Sequence, residues 1–155
     1  MEKIAYQIYD TPIGKIALGS IGEDLVMCSF ECENIEGIKA ETDCLKRAYK
    51  QLMEYFEGQR RIFDLNYRFL KGTSFQHQVW RALLEIPYGE IATYQQIAQK
   101  VGSPQACRAV GKANHDNPIA IFIPCHRVIG AHHQLVGYAG GLEKKSFLLN
   151  LERQV

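Results

Sequence analysis

Residues 93–113 read Thr93-Tyr94-Gln95-Gln96-Ile97-Ala98-Gln99-Lys100-Val101-Gly102-Ser103-Pro104-Gln105-Ala106-Cys107-Arg108-Ala109-Val110-Gly111-Lys112-Ala113. Thr93 can cap a helix through its hydroxyl, and Gly102 can end it. Ser103 follows at once as a second N-cap, with Pro104 in the first helical turn, where a missing N–H costs nothing. The spacing predicts two short helices joined by a tight Gly-Ser turn, a helix-turn-helix. The second helix is rich in small residues, and only Gln105, Arg108 and Lys112 project far from it. Such a helix can lie close against another surface, although the pattern alone equally allows two ordinary packed helices.

Downstream, Asn117-Pro118 opens a turn, and Ile119-Ala120-Ile121-Phe122-Ile123 is an apolar run predicted to be a buried strand. It leads into Pro124-Cys125-His126-Arg127-Val128. A free thiol titrates near about 8.5, so it is mostly protonated at neutral pH unless a cation or a base stands beside it. Histidine and arginine beside Cys125 therefore favour reactivity. Adjacent strand residues point to opposite sides, however, so Cys125 and His126 meet only if the chain turns there or a water bridges them.

Upstream, Thr73 or Ser74 can cap a helix carrying Phe75, Val79, Trp80, Leu83 and Leu84, which ends before Pro87, with a turn at Tyr88-Gly89-Glu90. Lys71-Gly72-Thr73 reads as a linker. Before it the period changes to alternation: Ile4, Tyr6 and Ile8, a turn at Thr11–Gly14, then Ile16 and Leu18, a turn at Gly22-Glu23-Asp24, and a third strand from Leu25 to Phe30. From about Thr42, Leu45, Ala48, Tyr49, Leu52, Met53 and Phe56 fit an amphipathic helix stopped by Gly58, followed by a strand around Ile62–Asn66. The class is α+β, with an N-terminal antiparallel sheet and helix over residues 1–70 and a mostly helical domain over 72–155.

The chain has 155 residues, of which 46% are hydrophobic and 23% charged, which excludes disordered and fibrous classes. No apolar run is long enough to span a membrane, and the first residues lack the apolar core of a secretory signal. Five cysteines, at 28, 32, 44, 107 and 125, are expected to be reduced thiols of a cytoplasmic protein. Net charge is +1, with 10 Lys/Arg against 12 Asp/Glu over residues 1–71 and 8 against 5 over 72–155. A mildly basic second half suits weak binding to a polyanion without demanding it.

Pro124-Cys125-His126-Arg127-Val128, the later Gly137-Tyr138-Ala139-Gly140-Gly141-Leu142 and a last helix ending at Glu152 resemble the O6-alkylguanine-DNA alkyltransferases, the methylated-DNA–protein-cysteine methyltransferases. The likeness extends through Phe75, Val79-Trp80, Tyr94–Ala98, Arg108–Gly111 and Asn117-Pro118-Ile119, covering about residues 72 to 152. It implies a ribonuclease H-like N-terminal domain and a winged helix-turn-helix-like C-terminal one. It also implies a single-turnover repair protein that moves an alkyl group from O6-alkylguanine, and from O4-alkylthymine as a further substrate, to Cys125. In that resemblance His126 takes the thiol proton through a water, Glu152 orients His126, Asn117 braces the cysteine turn, and Tyr94 donates toward guanine. Arg108 enters the stack left by the flipped base, Gln95 and Ser103 meet the phosphate backbone, and Tyr138 and Ala139 line the guanine pocket. Arg127 reads as a structural ion-pair partner. The implied partner is lesion-bearing double-stranded DNA, the protein is expected to be a monomer away from membranes, and neither cofactor nor metal is implied.

Several positions depart from the family pattern. His115-Asp116 replaces a common glycine and a variable residue, His132-His133 a frequent Asn-Gly turn, Cys107 a common alanine, and Ala139 a serine found in some members. Cys28, Cys32 and Cys44 lack the paired spacing of a zinc site. A rival class, a winged-helix DNA-binding regulator with a redox-sensing cysteine, explains the helix pair and the thiol but leaves Glu152, Tyr138 and the glycine loop without a role.

Overall fold

The computed structural model describes residues 3–153. It divides into two compact units: the chain up to Leu70 together with Pro118–Phe122, and Lys71–Asn117 together with Ile123 onward.

In the first unit the alternating segments form β1 (Ala5–Thr11), β2 (Gly14–Ile21) and β3 (Asp24–Ser29), an antiparallel meander. Its first two-residue loop, Pro12-Ile13, leads into Gly14 and its second begins on Gly22; both glycines have positive φ, which lets the chain reverse tightly there. Two short strands extend the sheet, β4 (Ile38–Lys39) parallel to β1 and β5 (Asn66–Tyr67) beside β3, and the order is β4-β1-β2-β3-β5. Helix α1 (Asp43–Phe56) is capped by the Thr42 hydroxyl accepting from the Leu45 N–H. It buries Cys44, Leu45, Ala48, Gln51, Leu52 and Tyr55. The buried stripe is thus turned from the one predicted, because the Gln51 amide is drawn inward by the Asp64 backbone while Tyr49, Met53 and Phe56 are half-buried. Strand β5 (Asn66–Tyr67) lies parallel to β3, later in the chain than predicted, and Ile62 is exposed.

The apolar run 119–123 is buried as predicted but is not a continuous strand. Ile119 makes a single bridge to Cys28, with Cys28 N–H donating to Pro118 O and Ala120 N–H to Cys28 O, both at 3.0 Å. Phe122 N–H then donates to Ala120 O at 2.8 Å across Ile121, a three-residue turn that gives this β-branched residue a φ of 71°. Such a conformation costs of order 1–3 kcal/mol and persists only where its surroundings enforce it.

The second unit contains α2 (Ser74–Leu83), β6 (Ala92–Thr93), α3 (Tyr94–Lys100), α4 (Cys107–His115), β7 (Val128–Ile129) and α5 (Leu142–Arg153). Thr73 and Thr93 each cap their helix and receive a reciprocal bond from a glutamine three residues on, Gln76 and Gln96. Trp80 packs into the helical core and donates its indole N–H to Ala113 O at 2.8 Å, tying α2 to α4. Strands β6 and β7 pair in parallel.

The connection between α3 and α4 differs from the one predicted. Gly102, at φ 77°, donates to Gln99 O while Ser103 N–H donates to Ala98 O, the paired bonds of a Schellman end. Ser103 is therefore spent on closing α3 rather than capping α4. Ala106 N–H bonds Ser103 O as a separate turn, and α4 starts at Cys107 behind Ala106 with no side-chain cap.

Candidate active site

Within the second unit the chain turns sharply at the cysteine. Asn117 Nδ2 donates to Ile123 O at 2.8 Å, and Cys125 N–H donates to the same carbonyl at 2.7 Å across Pro124. Cys125–Arg127 then forms one turn of 3-10 helix. With three residues per turn, neighbouring side chains diverge by about 120° rather than the near-opposition of a strand. Cys125 and His126 are thereby brought to one locality, as the turn condition requires, and both are buried.

His126 is fully enclosed. Its Nε2 donates to Glu152 Oε2 at 2.6 Å, while Nδ1 has no hydrogen-bond partner among the described residues. Arg127 closes a fork on the same carboxylate, Nε to Oε1 at 2.7 Å and Nη2 to Oε2 at 3.0 Å, and Gly89 N–H adds a bond to Oε1 at 3.2 Å. The third guanidinium nitrogen donates to Ile86 O at 2.7 Å, and the group lies 5.8 Å from the Tyr88 ring centroid. Burial works against the Glu152 charge, yet the His126 and Arg127 bonds outweigh it and hold the carboxyl well below the ordinary range. For His126 the balance goes the other way: burial dominates and pushes the imidazole down from 6.5 despite Glu152, with Arg127 and Lys145 adding to the fall. The outcome is a neutral ring that donates from Nε2 and keeps an acceptor lone pair on Nδ1.

Lys145 is also fully enclosed. Its ammonium donates to Val128 O at 2.5 Å, Val136 O at 2.8 Å and Gly137 O at 3.2 Å, so one side chain staples the loop before α5 to strand β7. Burial lowers it to about 8, opposed by the nearby Cys125 sulfur. Tyr94, at the start of α3, is half-buried and donates its hydroxyl to Val136 O at 3.0 Å. Burial and the Cys125 sulfur push its phenol up, so it keeps its proton. Tyr138 is buried, whereas Ala139 beside it is exposed.

The residues expected to meet DNA lie on α3, α4 and their connection. Arg108 is exposed on the first turn of α4. Gln95, although exposed, is engaged at both ends of its amide: Nε2 donates to Pro104 O and Oε1 accepts from Cys107 Sγ, each at 2.9 Å. Ser103 is half-buried with its N–H in the Schellman end. Asp116 pairs with Lys112 at 3.1 Å, which offsets the negative charge at that end of α4. His132 and His133 are exposed.

Lys145, Gly89 and Asn114 are absent from the sequence-predicted set, and two of them had a readable signal. On α5, Lys145, Leu148, Leu149 and Glu152 fall at i, i+3, i+4 and i+7, the spacing of one core-facing stripe with a charge at each end. On α4, Val110, Ala113 and Asn114 repeat the pattern with an amide at its edge.

Known proteins give a consistent comparison. The family profile described as 6-O-methylguanine DNA methyltransferase, DNA binding domain, matches residues 74–154, and the one described as its ribonuclease-like domain matches residues 4–69. The chain is 47% identical to the methylated-DNA–protein-cysteine methyltransferase of Methanosarcina acetivorans over 152 residues, 95% of this chain and 97% of that protein. It is 46% identical to the constitutive methylated-DNA–protein-cysteine methyltransferase of Bacillus subtilis over 159 residues, 96% of this chain and 94% of that one. The crystal structure of Mycobacterium tuberculosis OGT in complex with DNA superposes with a TM-score of 0.90 at 44% identity, covering 96% of this chain and 92% of that one.

Proposed function

We propose the following mechanism from the premise that the chain belongs to the 6-O-methylguanine DNA methyltransferase family, whose members repair DNA by alkyl transfer to a cysteine of their own. The acceptor is Cys125, and the substrate is O6-alkylguanine in duplex DNA. The thiol proton passes through a water to His126 Nδ1, and Glu152 accepts from Nε2 and stabilises the charge that the ring acquires. The thiolate attacks the alkyl carbon, a carbon–sulfur bond forms as the carbon–O6 bond breaks, and guanine leaves with the electron pair. Tyr94, which retains its proton, turns from Val136 O to donate toward the base as its charge develops. A thioether resists reduction, so each molecule acts once.

The single observation that carries this reading is the bare Nδ1 of a buried histidine, adjacent in one helical turn to Cys125, with its other nitrogen on Glu152. Asn117 serves by bracing the turn. Residues 72–155 are read as the DNA-binding and chemical domain, winged helix-turn-helix in kind, and residues 1–70 as a ribonuclease H-like structural domain of a cytoplasmic monomer. Arg108 takes the place of the base extruded into the pocket beside Tyr138 and Ala139, at an unstacking cost of a few kcal/mol. Ser103 meets phosphate. Gln95 does so only by giving up its bonds to the α3–α4 connection.

A duplex carrying a labelled O6-methyl group tests the reading. One label per protein should end on Cys125, and Cys125→Ala should take none. Sequence-specific footprinting with no transfer would instead support the redox-regulator class.

A further inference from the structure

The outer face of α4 is cationic and carries its own anion. Arg108, Lys112 and His115 fall at i, i+4 and i+7, all exposed, opposite the buried Val110, Ala113 and Asn114. Asp116, at the C-cap of the same helix, closes on that stripe. Lys112 Nζ donates to its Oδ2 at 3.1 Å, and His115 Nδ1 stands 3.5 Å from its Oδ1. Burial opposes the carboxylate, but the bonds from Lys112 and His115 together outweigh it and hold the carboxyl below its ordinary range.

Helix stability does not account for this placement. A carboxylate at a helix C-terminus meets the negative end of the macrodipole. A lysine four residues before its acid is the weaker order of such a pair. With the Lys112 side chain 77% exposed, the pair contributes little in any case. What the arrangement does change is charge, because it ties up one of the two cations, Arg108 and Lys112, that the face presents.

We propose that Asp116 is an intramolecular competitor of the DNA backbone: its carboxylate holds Lys112 in the place of a phosphate, and the helix exchanges one for the other when a duplex docks. The inference rests on the reading of α4 as the helix that brings Arg108 to DNA. Four residues of helix place Lys112 about 6 Å beyond Arg108 along the axis and on the same face. With Arg108 at the vacated base, the ammonium is within reach of the adjoining backbone, which carries a charge about every 3.4 Å of rise along each strand. A phosphate contact made by giving up an ion pair yields less affinity than one made by an unpaired lysine. Asp116 thus keeps the hold on undamaged duplex loose, and the penalty falls on docking rather than on alkyl transfer.

Fluorescence anisotropy with an undamaged duplex, over about 50 to 200 mM salt, tests the proposal. Asp116→Asn should tighten binding about fivefold at the lowest salt, roughly the worth of one ion pair. It should also steepen the fall of log affinity with log salt by about 0.9, one phosphate contact. Single-turnover transfer at saturating methylated duplex should be unchanged. In a Lys112→Met background the same substitution should tighten binding by less than about twofold, since no lysine is there to release. An unchanged affinity in a folded Asp116→Asn protein would overturn the proposal. So would an equal gain in the Lys112→Met background, which would reduce Asp116 to general repulsion, or slower transfer at saturation. Arg108→Ala that alters neither binding nor transfer would overturn the reading of α4 instead, so the two failures are distinguishable.

Discussion

Among the described residues the sheet unit buries the polar side chains of Ser20 and Gln51, both neutral, and the helical unit buries Asn114, His126, Arg127, Lys145 and Glu152, four of them ionisable. Each member of the first pair is satisfied locally. The Ser20 hydroxyl meets Thr42 Oγ1 at 2.9 Å, and the Gln51 amide donates to Asp64 O and accepts from Asp64 N–H. In the second unit the charges satisfy one another and a set of backbone carbonyls, with His126 Nδ1 and Asn114 Oδ1 left over. Burying ions is expensive, and an apolar cluster of equal volume would often serve stability as well or better. The helical unit thus bears a desolvation cost that the sheet unit avoids, in keeping with the proposed division into a chemical and a structural domain.

That contrast is most severely tested at Glu152. Glu152→Gln leaves Arg127 buried with no counter-charge and should cost about 3–5 kcal/mol in urea unfolding, with methyl transfer falling alongside. A loss below 1 kcal/mol would show that the cluster is not a buried ion pair at all. The same cluster sets the acid limb. The unfolded imidazole takes a proton below about pH 6.5 that buried His126 refuses, so stability should decline as pH falls through that value, while the transfer rate of the folded protein should hold there because His126 stays neutral. Glu152 stays ionised in the fold to lower pH than in the unfolded chain, so its contribution is present above the usual carboxylate range and is lost only in stronger acid. Lys145 acts at the other end. Between about 8 and 10.5 the unfolded chain holds a proton that the folded one has released, so its share of stability should rise with pH there. Urea melts across pH 5 to 10 would show both limbs, and Lys145→Met should remove the alkaline one.

Complete methylation of Cys125 adds a carbon to a site that is 3% exposed, and should lower stability by about 1–3 kcal/mol. An unchanged melting temperature after stoichiometric transfer would mean that the pocket has room to spare. In the sheet unit, Gln51→Ala should cost a similar 1–3 kcal/mol by stranding the Asp64 N–H and carbonyl, yet leave single-turnover transfer by the folded protein unaltered. A drop in its transfer rate would break the division between scaffold and chemistry. Smallest of all, Arg68→Ala removes a partly exposed pair with Asp24 at 2.9 Å and should change stability by no more than about 1 kcal/mol.

Much of this was legible before any coordinates. Alternation over residues 4–30, the threonine caps at 73 and 93 and the stop at Gly102 are local signals, carried by residues within a few positions of one another. They recur in the structure because backbone hydrogen bonding and side-chain spacing act at that range. The cysteine motif pointed to Cys125, His126 and Glu152 through resemblance, and the structure brings His126 and Glu152 into contact. Where the reading failed, a distant group had intervened or the local turn had two solutions. Ser103 could cap α4 or close α3, and the second prevailed. The apolar run 119–123 could extend as a strand, but Cys28 supplies only one bridge and the chain folds back at Ile121.

From the sequence alone follow the α+β class, most of the helices with their caps, and the short run that holds Cys125. Only tertiary structure decided that Arg127 and Gly89 share Glu152 with His126, that Lys145 staples the loop ahead of its own helix, and that the Asn114 amide donates to the Cys125 carbonyl. The physical reason is range. Helix and strand periodicity is written between neighbours, whereas the state of a buried charge depends on every donor that packing brings to it, here from positions up to 63 residues away in the chain.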